Sequence, residues 1–139
     1  MAKTTVNEKE IEQFQKDSMA WWDTEGPFAP LHVLNPVRMA FMVDVLKEVP
    51  VFKNWTHLDV GCGGGLVSVP FARLGAHVTG LDADDQAISV ARVHAQGAEL
   101  DITYHAQSIE VFRKGHKPGL FDTVTALEII EHVDAPEVL

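Results

Sequence analysis

Hydrophobic and polar positions along the chain change period near residue 56, and the two parts predict different structures. In the first part, Ile11, Phe14, Ser18 and Trp22 share one helical face behind Asn7, whose spacing to Glu10 is that of a cap with a reciprocal carboxylate. This predicts a first helix to about Trp22. Gly26, Pro27 and Pro30 interrupt the periodicity up to Leu34, an ordered, irregular connection in which Phe28 and Leu31 are expected to be pinned by packing. Asn35 and Pro36 then read as the cap and first position of a second helix, with Val37, Phe41, Val45 and Val49 recurring until Pro50.

From Thr56 the pattern is strand, glycine turn, helix. His57 to Val60 ends in the cluster Gly61-Cys62-Gly63-Gly64-Gly65, and Leu66, Val69, Phe71 and Leu74 follow at helical spacing, with Pro70 near the first turn. His77 to Leu81 is a second strand ending in Asp82, and Ile88, Ala91 and Ala95 mark a helix that stops at Gly97. Ile102 to Tyr104 predicts a third strand, Ser108 to Phe112 a short helix, and the β-branched stretch Phe121 to Leu127 a fourth strand. Strands alternating with helices imply an α/β fold with a parallel, doubly wound, Rossmann-like sheet and helices on both faces. The expected division is a helical cap and lid over 1–55 and a sheet half-domain over 56–139. Asp134 with Glu137 reads as the cap of a further helix, so the 139 residues are expected to be part of a longer chain.

Composition narrows the function. Twenty acidic against eleven basic residues give a net charge of −9 with no basic cluster, which argues against nucleic acid as a partner. The single cysteine, Cys62, allows no internal disulfide, and the first ten residues have neither a signal core nor a transit composition, so a cytoplasmic location is expected. No apolar run reaches the length of a bilayer span.

The glycine turn carries the strongest chemical signal. Backbone passing close to a ligand at the end of a first strand needs residues without Cβ, which suits Gly61, Gly63 and Gly65, and the following helix start offers free N–H groups. Asp82 lies 21 positions after Gly61, where a carboxylate can accept both hydroxyls of a ribose. A turn serving structure alone, with an ordinary strand-terminal aspartate, is the plainer alternative. The spacing is G-x-G-x-G, with Leu66 where the dinucleotide motif has its third glycine, so a nicotinamide-dependent oxidoreductase is the weaker enzymatic reading. Asp59, two residues before the first glycine, suits turn amides or an ammonium group better than a pyrophosphate. Cys62 reads as a small packing residue, and His32, His57, His77, His94, His105 and His116 lack ligand spacing and read as surface or strand histidines.

Leu58-Asp59-Val60-Gly61-Cys62-Gly63-Gly64-Gly65 resembles the first motif of class I S-adenosylmethionine-dependent methyltransferases, and Thr79-Gly80-Leu81-Asp82 resembles their ribose-binding motif. With Trp21-Trp22-Asp23, Glu25-Gly26, Pro30-Leu31-His32, Asn35-Pro36, Arg38 and Glu128-Ile129-Ile130-Glu131-His132-Val133 added, the resemblance narrows to the ubiquinone-biosynthesis O-methyltransferase family. It implies that Gly61 and its neighbours line the methionine and ribose part of S-adenosylmethionine, Asp82 holds the ribose, Leu127 supplies backbone beside the adenosyl group and Arg38 reaches the carboxylate. A solvated helix-face cation is the alternative for Arg38. The resemblance also implies that Glu128, Glu131 and His132 face the acceptor and hold a divalent cation, magnesium foremost; a solvated acidic loop is the alternative.

The implied reaction is methyl transfer to a phenolic or catechol hydroxyl of a polyprenylated precursor. A phenol of pKa about 10 must lose its proton; a divalent metal chelated by the acceptor's oxygens is expected to bring this about, with His132 acting as base as the competing route. The polyprenyl tail implies apolar cover from the first helix and Trp21 to Leu31, contact with membrane lipid at the inner face of the membrane, or contact with other quinone-biosynthesis enzymes; Trp21 and Trp22 as plain core and lid residues are the alternative. A cofactor-binding piece without activity, associating through an open sheet edge, is a further alternative. Thr125-Ala126-Leu127 stands where relatives commonly carry cysteine and methionine.

Overall fold

The computed structural model describes residues 3–47 and 54–139. Helix α1 (Glu8–Gln15) starts at Asn7, whose side chain accepts from the Glu10 N–H as expected. The reciprocal half of the cap is missing, because the Glu10 carboxylate is taken by His132. The first helix is also shorter than its periodicity predicts: a separate 3₁₀ turn, Ser18–Ala20, carries Ser18 into the interior.

Helix α2 (Ala29–Val45) corrects the reading of Asn35 and Pro36. Pro30 occupies the helix start, Pro36 lies inside, and Asn35 donates its side-chain amide to the Leu66 carbonyl at 2.6 Å. Tertiary contact overrides the local cap signal here, at the cost of one intrahelical bond at Pro36. The expected stop at Pro50 lies outside the described residues. Met39, Met42 and Leu46 pack on a cluster of Val67, Phe71, Ala76 and Val78. No described helix is long and apolar enough to cross a membrane.

Four parallel strands, β1 (Thr56–Val60), β2 (His77–Asp82), β3 (Ile102–Ala106) and β4 (Thr123–Thr125), form a sheet in the order β3-β2-β1-β4. Helices α3 (Ser68–Arg73), α4 (Asp85–Gly97) and α5 (Ile109–Lys114) follow β1, β2 and β3, the alternation expected of a Rossmann-like sheet. The register pairs Val60 with Leu81, so Gly61 emerges from β1 beside Asp82 at the end of β2. Separate clusters form the core, one around Leu58, Val60, Leu81, Ile109 and Phe112, another around Cys62, Ile88, Ala91, Ala95 and Tyr104.

Strand β4 is shorter than the apolar stretch Phe121 to Leu127 suggests, and Val124 is exposed on it. Toward the C-terminus, Asp134 caps no helix. It accepts from the Asn7 side chain at 2.7 Å, and a short 3₁₀ turn, Pro136–Val138, begins after Ala135.

Candidate functional site

The carboxyl ends of β1, β2 and β4 open onto a cavity of about 470 Å³, within the range of small-molecule sites. Arg38, Asp59, Gly61, Gly63, Asp82, Leu127, Glu128 and His132 all line it. Gly65 and Glu131 do not. Gly65 lies where an added Cβ would sit 2.4 Å from the Tyr104 hydroxyl, so its smallness serves packing behind the turn. The Glu131 carboxylate lies 3.8 Å from His132 Nε2.

Gly63 shows why the turn needs glycine. Its φ is +52°, in the left-handed region, and an added Cβ would lie 2.5 Å from the Trp21 ring. The lid segment is therefore docked directly on the turn. Trp21 stacks on the buried Phe28 at 3.8 Å, and Trp22 donates its indole N–H to the Gly64 carbonyl at 2.9 Å while stacking on His94. Trp21 also lines the cavity, and its buried indole N–H has no acceptor among the described residues. Buried Ser18 donates to Asp84 at 2.7 Å, joining this segment to the residue that caps α4.

Asp82 accepts from the Gly63 N–H at 2.8 Å and the Asp84 N–H at 2.9 Å. A carboxylate has about four lone-pair sites, so two remain for a ligand. Burial pushes its pKa up to about 6, against the lowering effect of those two N–H groups. Asp59, expected on turn amides or an ammonium group, instead accepts from the Ser68 hydroxyl at 2.7 Å and the Thr125 hydroxyl at 3.0 Å. Its pKa also rises to about 6, through burial first, with the two hydroxyls opposing and the Asp82 charge adding to the rise. Cys62 is buried with its thiol pushed up by burial, which agrees with a packing role.

The cluster after β4 is arranged differently from the expected ligand set. Arg38, in mid-helix on α2, donates to the Glu128 carboxylate. His132 Nδ1 lies 2.9 Å from Glu10 Oε2, with Phe14 edge-on to the ring at 5.0 Å. Each of Glu128 and His132 is thus engaged by the N-terminal segment, and no group of three or more His, Cys, Asp or Glu side chains that could hold a metal ion occurs among the described residues. The donors do not fit a bound cation in this arrangement. Glu128 holds a left-handed φ of +53°, a conformation that costs a non-glycine residue about 1–2 kcal/mol.

Nothing in the sequence marks Glu10 or Ser18 as a site residue, and Glu10 carries only a capping signal there. His57, an ordinary strand or surface histidine by its spacing, is fully buried beside this site.

A methyltransferase domain family matches residues 58–139. The chain belongs to that family. It is 39% identical to the ubiquinone biosynthesis O-methyltransferase of Sinorhizobium fredii (strain NBRC 101917 / NGR234), over 95% of this chain and 56% of that protein. It is 42% identical to the enzyme of the same name from Pelagibacter ubique (strain HTCC1062), over 94% of this chain and 56% of that one. The chain spans about half the length of the curated relatives it matches. Among solved structures, magnesium protoporphyrin IX methyltransferase from Synechocystis PCC 6803 with bound SAM superposes with a TM-score of 0.70 at 22% identity, covering 96% of this chain and 69% of that one, a likeness of fold. For this methyltransferase domain the Rossmann-like reading of the sequence therefore holds.

Proposed function

We propose that this methyltransferase domain binds S-adenosylmethionine and belongs to an O-methyltransferase acting on a phenolic or catechol hydroxyl of a polyprenylated ubiquinone precursor. The observation that carries the cofactor reading is Asp82, held by the Gly63 and Asp84 N–H groups at the cavity with lone pairs to spare for two ribose hydroxyls. The names and identity of the relatives support the reaction class and the acceptor. When bound, the cofactor supplies a sulfonium methyl group for in-line transfer to oxygen.

The chain's own residues divide the remaining work. With the cofactor bound, Asp59 would place negative charge near its cationic end, Leu127 would offer backbone to the adenosyl group, and Arg38, now on Glu128, would be the cation available to the cofactor carboxylate. His132 takes the acceptor proton. The Glu10 carboxylate accepts from Nδ1–H, which leaves the Nε2 lone pair as the base. The engagement of Glu128 by Arg38 and of His132 by Glu10 supports this route over a metal route. The acceptor's apolar tail and the exposed residues Val37, Phe41 and Val45 on α2 support peripheral contact with membrane lipid from the cytoplasmic side.

Calorimetric titration with S-adenosylhomocysteine, beside NADH and an Asp82→Ala control, tests the cofactor reading. Binding of S-adenosylhomocysteine alone, weakened by the substitution, is expected; NADH binding overturns it. Methyl transfer that is lost on chelation and restored by magnesium overturns the His132 route.

A further inference from the structure

A chain of polar side chains runs through the sheet to the cavity, and its proton directions can be assigned. The Thr125 hydroxyl has one proton, and it donates that proton to Asp59 Oδ1 at 3.0 Å. Thr125 Oγ1 therefore accepts from His57 Nε2, 2.9 Å away, so Nε2 bears hydrogen. At the other end Trp55 Nε1, a donor only, donates to Thr123 Oγ1 at 2.8 Å. That leaves the Thr123 proton free for His57 Nδ1 at 2.7 Å, the acceptor nitrogen of a neutral ring. Every donor from Trp55 onward points towards Asp59.

The ring is fixed by packing as well. His57 is fully buried and stacks on Phe71 with centroids 4.0 Å apart and planes 6° from parallel. Burial holds its pKa down to about 4, so it stays neutral near neutral pH. The groups that face Asp59 come from several elements: the Ser68 hydroxyl from α3, the Thr125 hydroxyl from β4, the Asp82 carboxyl from β2, the Cys62 thiol from the turn and the Tyr104 phenol from β3. None of these is cationic. The carboxylate must be held charged by the two hydroxyls and the Ser68 backbone N–H, with no cation, against burial and a like charge.

We infer that His57 is a positioning residue that, locked as its Nε2–H tautomer, aims the Thr125 hydroxyl at Asp59 and so keeps that carboxylate anionic beneath the cationic end of the ligand. The inference deepens the cofactor reading and rests on it for the identity of the ligand. Without the His57 acceptor bond, Thr125 is free to turn its proton elsewhere; without the Thr125 hydroxyl, Asp59 keeps only the Ser68 hydroxyl and backbone N–H and holds its proton to higher pH.

The test follows the Asp59 carboxyl by carbon NMR titration in the wild-type chain and in Thr125→Val, Thr125→Ser and His57→Phe. Loss of a hydrogen bond to a charged group is expected to raise the Asp59 pKa by about 1–2 units in Thr125→Val. A smaller rise is expected in His57→Phe, and Thr125→Ser is expected to restore the wild-type value. The pH midpoint of S-adenosylhomocysteine affinity is expected to move by the same amounts. An Asp59 titration unchanged in both Thr125→Val and His57→Phe overturns the inference, as does a titration that moves while the affinity midpoint stays. If Asp59 moves as expected but S-adenosylhomocysteine does not bind the wild-type chain, the relay stands and the cofactor reading fails. Nitrogen shifts of the wild-type His57 ring need no variant to fold: an Nδ1–H tautomer, or a charged ring at pH 6, overturns the assignment.

Discussion

The two sides of the cavity are held by opposite means. On one side, Gly61, Gly63 and Asp82 sit on a buried turn between paired strands, and backbone N–H groups fix the carboxylate. On the other, Glu128 and His132 are held by side chains 90 and 122 residues away in sequence, Arg38 and Glu10. The first side is preorganised by the sheet itself. The second depends on an N-terminal segment docked against it through the partly exposed Arg38–Glu128 ion pair and the His132–Glu10 hydrogen bond, which exchange readily with solvent and with a charged ligand. The side proposed to hold the cofactor is thus rigid, and the side proposed to receive the acceptor can open.

The largest expected effect is on the rigid side. Gly63→Ala forces a Cβ into Trp21 and a left-handed φ onto alanine, which together should cost about 3 kcal/mol in thermal unfolding and abolish S-adenosylhomocysteine binding. A variant that melts like the wild type would mean the lid lifts freely and that the docked Trp21 contributes little.

Asp59→Asn comes next, with opposite signs for stability and binding. The raised pKa means that the native state binds its proton up to about pH 6, whereas the unfolded carboxyl releases it near 3.8. Stability contributed by this group is therefore lost as pH rises through that window, by up to roughly 3 kcal/mol for a shift of about two units. Denaturant unfolding of Asp59→Asn at pH 7 should show gained stability and weaker ligand binding; lower stability at pH 7 would contradict the charge assignment. His57 works in the other direction. With a native pKa of about 4 against 6.5 unfolded, it contributes stability above pH 6.5 that is lost on acidification to pH 4. The wild-type stability should accordingly be flatter between pH 6.5 and 4 than that of Asp59→Asn.

A third variant, Asp82→Ala, should weaken S-adenosylhomocysteine by ten- to a hundredfold in calorimetry, the equivalent of about 1–3 kcal/mol for lost charged hydrogen bonds. Unchanged affinity would remove Asp82 from the site. The smallest effect is on the flexible side: Glu10→Gln should change stability by less than about 1 kcal/mol, because the pair with His132 is partly exposed. Its readout is instead the rate of methyl transfer, which should fall as the imidazole loses the acceptor that holds Nε2 as the base. A rate identical to wild type would leave Glu10 with a structural role only.

These differences track how legible each part was. The glycine turn, the acid at the end of β2, the cap of α1 at Asn7 and the helix ending at Gly97 are all local patterns, and each appears where the sequence places it. Asn35-Pro36 misled because a cap signal is also satisfied by a tertiary acceptor, here the Leu66 carbonyl. Glu10 misled for the same reason, its carboxylate choosing His132 over its own helix end. Nothing in the spacing of His57, Thr123 and Thr125 announces that they meet.

Determined by the sequence alone were the alternation of strands and helices, the close-approach turn and the acid at the end of the second strand, since period, φ preference and capping act within a few residues. Only the tertiary structure decided which side chains share the cavity, which proton each hydroxyl donates, and that the acidic cluster after β4 pairs with α1 and α2 and does not gather as a ligand set. Those outcomes depend on strand register and on contacts between residues far apart in the chain, and burial then sets their charge.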